Sequence, residues 1–187
     1  MQDLSPATRP LRSLSAAALA DQFSSALERA DGRLGAHCVH ELCMRAELPA
    51  RIEAALERLW QRAANSIPDW LPMRYIHFLP LLYDTTARFR AARRGRSNLY
   101  LVLLDYSDRA GDPFGIYVGM SDYSPAQRFD QHKAGIRASG SVLKRGVEVL
   151  TGPTLHLQRL SRVEAERIEA QLALALGEAG LIVQGGH

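Results

Sequence analysis

Apolar positions along this chain keep one rhythm up to about residue 96 and another after it. In the first stretch Leu14, Ala18, Phe23 and Leu27 recur at nearly helical spacing, which predicts an amphipathic helix over residues 14 to 29, ended by Asp31-Gly32. A short helix is predicted over residues 37 to 46. A third, opened by Pro49, is expected over residues 50 to 64, with Ile52, Leu56, Leu59 and Trp60 on one face. Pro68 and Pro72 mark a connection, and residues 73 to 92 are predicted as one helix bent at Pro80 or two shorter ones.

From Leu99 onward the pattern shortens to strand length. Residues 99 to 106 and 114 to 120 are rich in Leu, Val, Ile and Tyr and flank a polar connection holding Gly111 and Asp112-Pro113, so an antiparallel hairpin is predicted. Ser124-Pro125 is the signature of a helix opening, with the hydroxyl as cap and the proline in the first turn, and Gly135 closes that helix. Residues 139 to 149 read as a short helix, and Leu155, Leu157 and Leu160 as a further strand. Ser161 with Glu164 three residues on forms a capping-box pair, opening a last helix that runs through Glu169 to about Leu176.

Charge changes where the rhythm does. Residues 1 to 96 carry 14 Lys plus Arg against 10 Asp plus Glu, whereas the remainder carries 9 against 10. The basic excess is therefore N-terminal, and it is densest at Arg88, Arg90, Arg93, Arg94 and Arg96. Two readings compete for this run: cations at a helix C-terminus, or a phosphate-facing patch at a domain junction, which Lys133 would extend. Two domains are expected, residues 1–96 and 97–187.

Two cysteines do not make a disulfide framework, which favours a reducing compartment. His37, Cys38, His40 and Cys43 crowd into seven residues, too close for two separated ligand pairs, so packing is expected there rather than a metal. No apolar run approaches the roughly 20 residues that span a bilayer, and no secretory leader is evident. A cytoplasmic location without membrane contact follows as the expectation.

The chemistry lies in the second half. Arg128 and His132 are four residues apart on one predicted helix and share a face. The hairpin can set Tyr100 and Tyr117 on adjacent strands facing that helix, and Glu169 can approach from the last one. Phosphodiester hydrolysis needs an activated water, a stabilised pentacovalent phosphorus and a neutralised leaving oxygen. In this set Arg128 would contact a phosphate oxygen, His132 would take a phenolic proton or order the water, and Glu169 would hold one divalent cation. Tyr100 is the expected base, with Tyr117 holding water or a phosphate oxygen. His156 and His187 are given no role.

These residues resemble the catalytic domain of the GIY-YIG endonuclease family. Tyr117-Val118-Gly119 answers the second family motif, because Arg128 and then His132 follow it on a helix, and Asn98-Leu99-Tyr100 answers the first with asparagine in place of glycine. The literal Gly115-Ile116-Tyr117 does not. The acidic helix that begins near Glu164 looks like the family's metal helix, with Glu169 as its ligand.

The likeness covers residues 97 to 186. It implies an α+β chain: a helical N-terminal domain, then a small domain with a three-stranded antiparallel or mixed sheet flanked by helices. It also implies one Mg²⁺ or Mn²⁺ and a metal-dependent endonuclease acting on nucleic acid, DNA ahead of RNA. The helical domain is then free for substrate, a protein partner or a second copy. Two features depart from the family. Asn98 replaces a glycine, and the asparagine expected after the metal helix has only Gln184 as its nearest amide. Those departures support the alternative of a fold that binds nucleic acid, or acts as a scaffold, without turnover. The connection from Tyr100 to Tyr117 is longer than usual and could carry an insertion that touches substrate.

Overall fold

The structure, a computed structural model, describes residues 5–186. The chain forms two compact units, one ending at Tyr83 and the other beginning at Asp84. Residues 84 to 96 thus belong with the second unit. Phe89 and Ala91 pack on its Leu99, Leu157 and Ile168 cluster, and the Gly95 N–H donates to the Arg159 carbonyl at 2.8 Å.

The first unit is helical. Helices α1 (Ala16–Glu28), α2 (Gly32–Met44) and α3 (Pro49–Ala63) bury Leu19, Phe23, Val39, Ile52 and Leu59 among themselves. Ser15 caps α1 and Asp31 caps α2 through side-chain oxygens that accept backbone N–H groups. Asp31-Gly32 therefore starts the second helix, which is longer than the expected span of residues 37 to 46. Gly35 is buried where a Cβ would lie 2.3 Å from Leu59 Cδ1, so this glycine marks close packing of α2 on α3. Glu41 is buried and pairs with Arg9 at 2.7 Å and Arg45 at 2.8 Å.

Residues 73 to 92 form neither a bent helix nor two. Only α4 (Leu79–Thr86) is helical there, with Pro80 in its first turn, where a missing N–H costs nothing. The arginine run accordingly lies in an irregular segment and on no helix end.

The second unit is an α+β arrangement with one mixed sheet of four strands, one more than expected, in the order β3-β1-β2-β4. The hairpin is present: β1 (Asn98–Asp105) and β2 (Phe114–Ser121) pair antiparallel, with Tyr100 opposite Gly119 and Val102 opposite Tyr117. On the other edge of β1 lies β3 (Gly146–Leu150), antiparallel, following the short α6 (Gly140–Arg145). The fourth strand, β4 (Val183–Gly185), runs parallel to β2.

Leu155, Leu157 and Leu160 do not form a strand. They follow a single 3₁₀ turn and reach the sheet through one bridge, Ser97 to Leu160, while Leu157 and Leu160 bury themselves against Leu99 and Ile168. Helices α5 (Pro125–Lys133) and α7 (Arg162–Glu178) flank the sheet. No helix among the described residues is long and apolar enough to cross a membrane.

Candidate functional site

Alternation along the hairpin sends Tyr100, Val102 and Tyr117 to one face, where they meet Phe129 and Val142. Gly119 shares that face. A Cβ there would lie 2.6 Å from Tyr117 Cε1 and 2.7 Å from Tyr100 Cζ and Oη, so the space above Gly119 is filled by the two phenols. Gly185 on β4, at φ +87°, has no room for a Cβ, which would collide with the Val118 carbonyl and stand 3.1 Å from Tyr117 Cε2.

Helix α5 is fixed at both ends by its own sequence. Ser124 and Gln127 make a reciprocal capping box at its start. At its finish Gly135, at φ +77°, turns the chain so that its N–H bonds to His132 O at 3.0 Å and the Ile136 N–H bonds to Gln131 O at 2.9 Å. This glycine turn delivers the carbonyls of Ile136 and Arg137 to Arg128, whose guanidinium donates to them at 3.2 and 2.7 Å and to Gln131 Oε1 at 3.1 Å. Three of its N–H groups are so used, and an arginine has five.

His132 is 1% exposed. Its Nδ1 accepts the backbone N–H of Ser139 at 2.9 Å, and its Nε2 lies 3.0 Å from the Tyr100 hydroxyl. An Nδ1 that accepts cannot carry a proton, so the neutral ring holds its proton on Nε2 and donates it to Tyr100. Burial, then the charge of Arg128, pushes the imidazole down to about 4, in keeping with a ring that stays neutral.

Tyr100 is buried, and burial raises its pKa most. The Tyr117 ring lies beside both partners, its centroid 6.1 Å from that of Tyr100 and 5.8 Å from that of His132. Tyr117 is half-buried. Burial raises its pKa as well, Glu169 adds to the rise, and Arg128 opposes it. Hydrogen bonds thus run from Ser139 through His132 to Tyr100, with the half-buried Tyr117 ring packed alongside.

Glu169 reaches this region from α7 and is 8% exposed. Burial, then the neighbouring Glu166, pushes its carboxyl up to about 7, against a pull downward from the Met120 N–H. No basic side chain pairs with it among the described residues. A buried carboxylate with no countercharge, next to a phenol, fits a Mg²⁺ or Mn²⁺ held by one carboxylate, with water and substrate oxygens completing the shell. Among the described residues no three His, Cys, Asp or Glu side chains converge to hold a metal by themselves.

The remaining sequence-predicted residues fall elsewhere. Lys133 donates its ammonium to the carbonyls of Gly146 at 3.0 Å and Leu143 at 3.4 Å. Arg93 holds the carbonyls of Gln158 and Leu155, and Arg96 reaches Asp122 at 3.5 Å. Arg88, Arg90 and Arg94 are exposed. Asn98 has ordinary extended backbone, and its amide bridges two loops, donating to Tyr123 O and accepting the Arg159 N–H, each at 3.0 Å. Gln184 is exposed on β4 beside Tyr117, and His156 lies 3.0 Å from the Thr86 carbonyl. His187 lies outside the described residues. Sequence reasoning missed the Ser139 N–H and the two loop carbonyls, because backbone groups leave no residue-type signal; Gly135 alone marked the turn that carries them.

No protein-family model, no curated protein and no solved structure matches the chain.

Proposed function

We propose that the second unit hydrolyses phosphodiester bonds in nucleic acid, DNA ahead of RNA, in the manner expected of a metal-dependent endonuclease of GIY-YIG type. The observation that carries this reading is the oriented His132–Tyr100 pair with the half-exposed Tyr117 ring against both, and a guanidinium on the same helix with N–H groups to spare. A metabolite pocket has no need of that combination, whereas phosphoryl transfer needs an oriented water and a fixed cation.

Tyr117 is the phenol that faces substrate, and this reverses the roles expected for the two tyrosines. Tyr100 receives a hydrogen bond from His132 and is closed off from solvent, whereas Tyr117 is half-exposed. His132 therefore acts as a positioning residue that fixes the Tyr100 hydroxyl against the Tyr117 ring. Tyr117, once it has released its own proton to solvent, orients the attacking water and takes a proton from it; burial opposes that phenolate most, and Arg128 favours it. Arg128, held by the Ile136 and Arg137 carbonyls, directs its remaining donors to a phosphate oxygen. Glu169 is the residue that would hold Mg²⁺ or Mn²⁺, and the bound ion would supply a Lewis acid to the phosphoryl and leaving oxygens.

One observation favours the second reading, a nucleic-acid-binding protein without turnover: burial raises both phenols, which leaves little of either as the phenolate that a base must be near neutrality. Both readings are tested by incubating the full chain with DNA and RNA substrates in Mg²⁺, Mn²⁺ or EDTA, beside Glu169→Gln. Cleavage that requires the metal and is strongly suppressed in Glu169→Gln, with binding retained, supports the enzyme. Binding without cleavage in any metal supports the second reading.

A further inference from the structure

Arg137 combines two properties. Its backbone is left-handed, at φ 45°, a conformation that disfavours any residue with a Cβ and that Gly135, two residues earlier, adopts freely. In that conformation its carbonyl accepts the 2.7 Å bond from Arg128, the shortest that this guanidinium makes. Glycine or asparagine would supply the same carbonyl with less strain. The arginine side chain is not needed to build the turn, since it is exposed and makes no hydrogen bond or ion pair among the described residues.

The nearby cations are spent differently. Lys133 is tied to two carbonyls, Arg145 to Asp108 at 2.7 Å, and Arg128 to the loop itself. Arg137 is left as a guanidinium with all five donors free, on a residue whose backbone touches the site arginine.

We propose that Arg137 is a second phosphate-binding residue, contacting a backbone phosphate next to the one that Arg128 engages. The proposal rests on the nucleic-acid reading given above and deepens it. The strained backbone sets the place of the guanidinium relative to Arg128, while a flexible stem lets it follow the strand. One residue thus serves the site twice, through its carbonyl inward and its side chain outward.

Glycine separates the two roles, because Arg137→Gly keeps the left-handed turn and its carbonyl while deleting the cation. The measurement is equilibrium binding of labelled single-stranded and duplex DNA oligonucleotides by the full chain, in EDTA, over a series of salt concentrations. The expected result is weaker binding by Arg137→Gly, with the slope of log affinity against log salt reduced by roughly one, and a slope restored by Arg137→Lys. A thermal midpoint no lower than that of the native chain shows that the turn is kept. An unchanged slope in Arg137→Gly overturns the proposal while leaving the nucleic-acid reading intact. A native chain that binds no oligonucleotide at low salt overturns both.

Discussion

Each of the two units buries a histidine against a tyrosine, and the two sites differ in what lies around the ring. In the first unit His40 sits edge-on to Tyr83 and Trp70 at centroid distances of 4.8 and 5.8 Å, and its Nε2 is buried with no hydrogen-bond partner among the described residues. The adjacent Cys38 and Cys43 are buried, which raises each thiol to about 12 and keeps it a small apolar filler. In the second unit both nitrogens of His132 are engaged, and the half-exposed ring of Tyr117 lies 5.8 Å away by centroid. Burial therefore does not tell the two rings apart; both are pushed down to about 4. The distinction lies in whether hydrogen bonds orient the ring. His40 is packed, whereas His132 is aimed.

The sharpest way to break this contrast is at Tyr117 and Arg128. Tyr117→Phe removes the hydroxyl proposed to face substrate, and Arg128→Lys replaces a fixed, multiply bonded cation with a point charge. Each is expected to lower the single-turnover rate by about 2 to 4 kcal/mol, the range for losing a donor to a developing oxyanion. Tyr100→Phe should lose less, because its hydroxyl acts through Tyr117. A Tyr100→Phe enzyme slower than Tyr117→Phe would return the base to Tyr100 and undo the roles proposed for the two phenols.

Much of this arrangement was legible in the residues and part was not, for physical reasons. The hairpin, α5 and α7 announce themselves through apolar runs bounded by turn residues and through Ser124 and Ser161 as caps. The strand β3 does not. Its most buried positions are Gly146, Glu148 and Leu150, a glycine and a carboxylate among them, while Val149 packs on the Tyr100 and Val102 cluster of the other face, so neither side reads as an apolar stripe. Three residues of β4 carry no local signal, since their parallel pairing is made only after α7 has returned the chain to β2. Gly32 reads as a breaker but opens the second helix, where Gly35 permits close packing on Leu59. The proton on His132 was least legible of all, because a backbone N–H from Ser139 decides it. An imidazole fixed in this tautomer, with a pKa of about 4, places any histidine limb of a pH-rate profile in acid, well below neutrality.

Acid should sharpen the comparison, because both histidines lower stability through the same linkage. Above about pH 6.5 neither ring is charged in either state. Below it the unfolded chain binds protons that the folded chain refuses until about pH 4, so stability falls as the pH falls across that window. Each ring accounts for at most about 3 kcal/mol at the acid end. Trp60 and Trp70, the two tryptophans of the chain, both lie in the first unit, so indole fluorescence in urea follows that unit alone. His40→Leu should flatten its acid loss at little cost near neutrality, since the lost nitrogen had no partner. An acid loss that persists in His40→Leu would show that this ring is not what titrates.

The smallest effect expected is at Asn98, where the chain departs from the glycine of the family it resembles. If the position required glycine's backbone freedom, Asn98→Gly would relieve strain and raise the cleavage rate. The structure assigns the residue a different task. Its backbone is an ordinary extended strand, and its amide ties the Tyr123 carbonyl, just before α5, to the Arg159 N–H at the far side of β1. Neither tie has an equivalent around His40, where aromatic packing does the holding. Asn98→Gly should therefore cost about 1 to 2 kcal/mol of stability, the net worth of two hydrogen bonds, with no gain in rate. Urea unfolding followed by far-ultraviolet circular dichroism, beside single-turnover cleavage, separates the outcomes. A faster and equally stable Asn98→Gly enzyme would mean that the asparagine holds the site back.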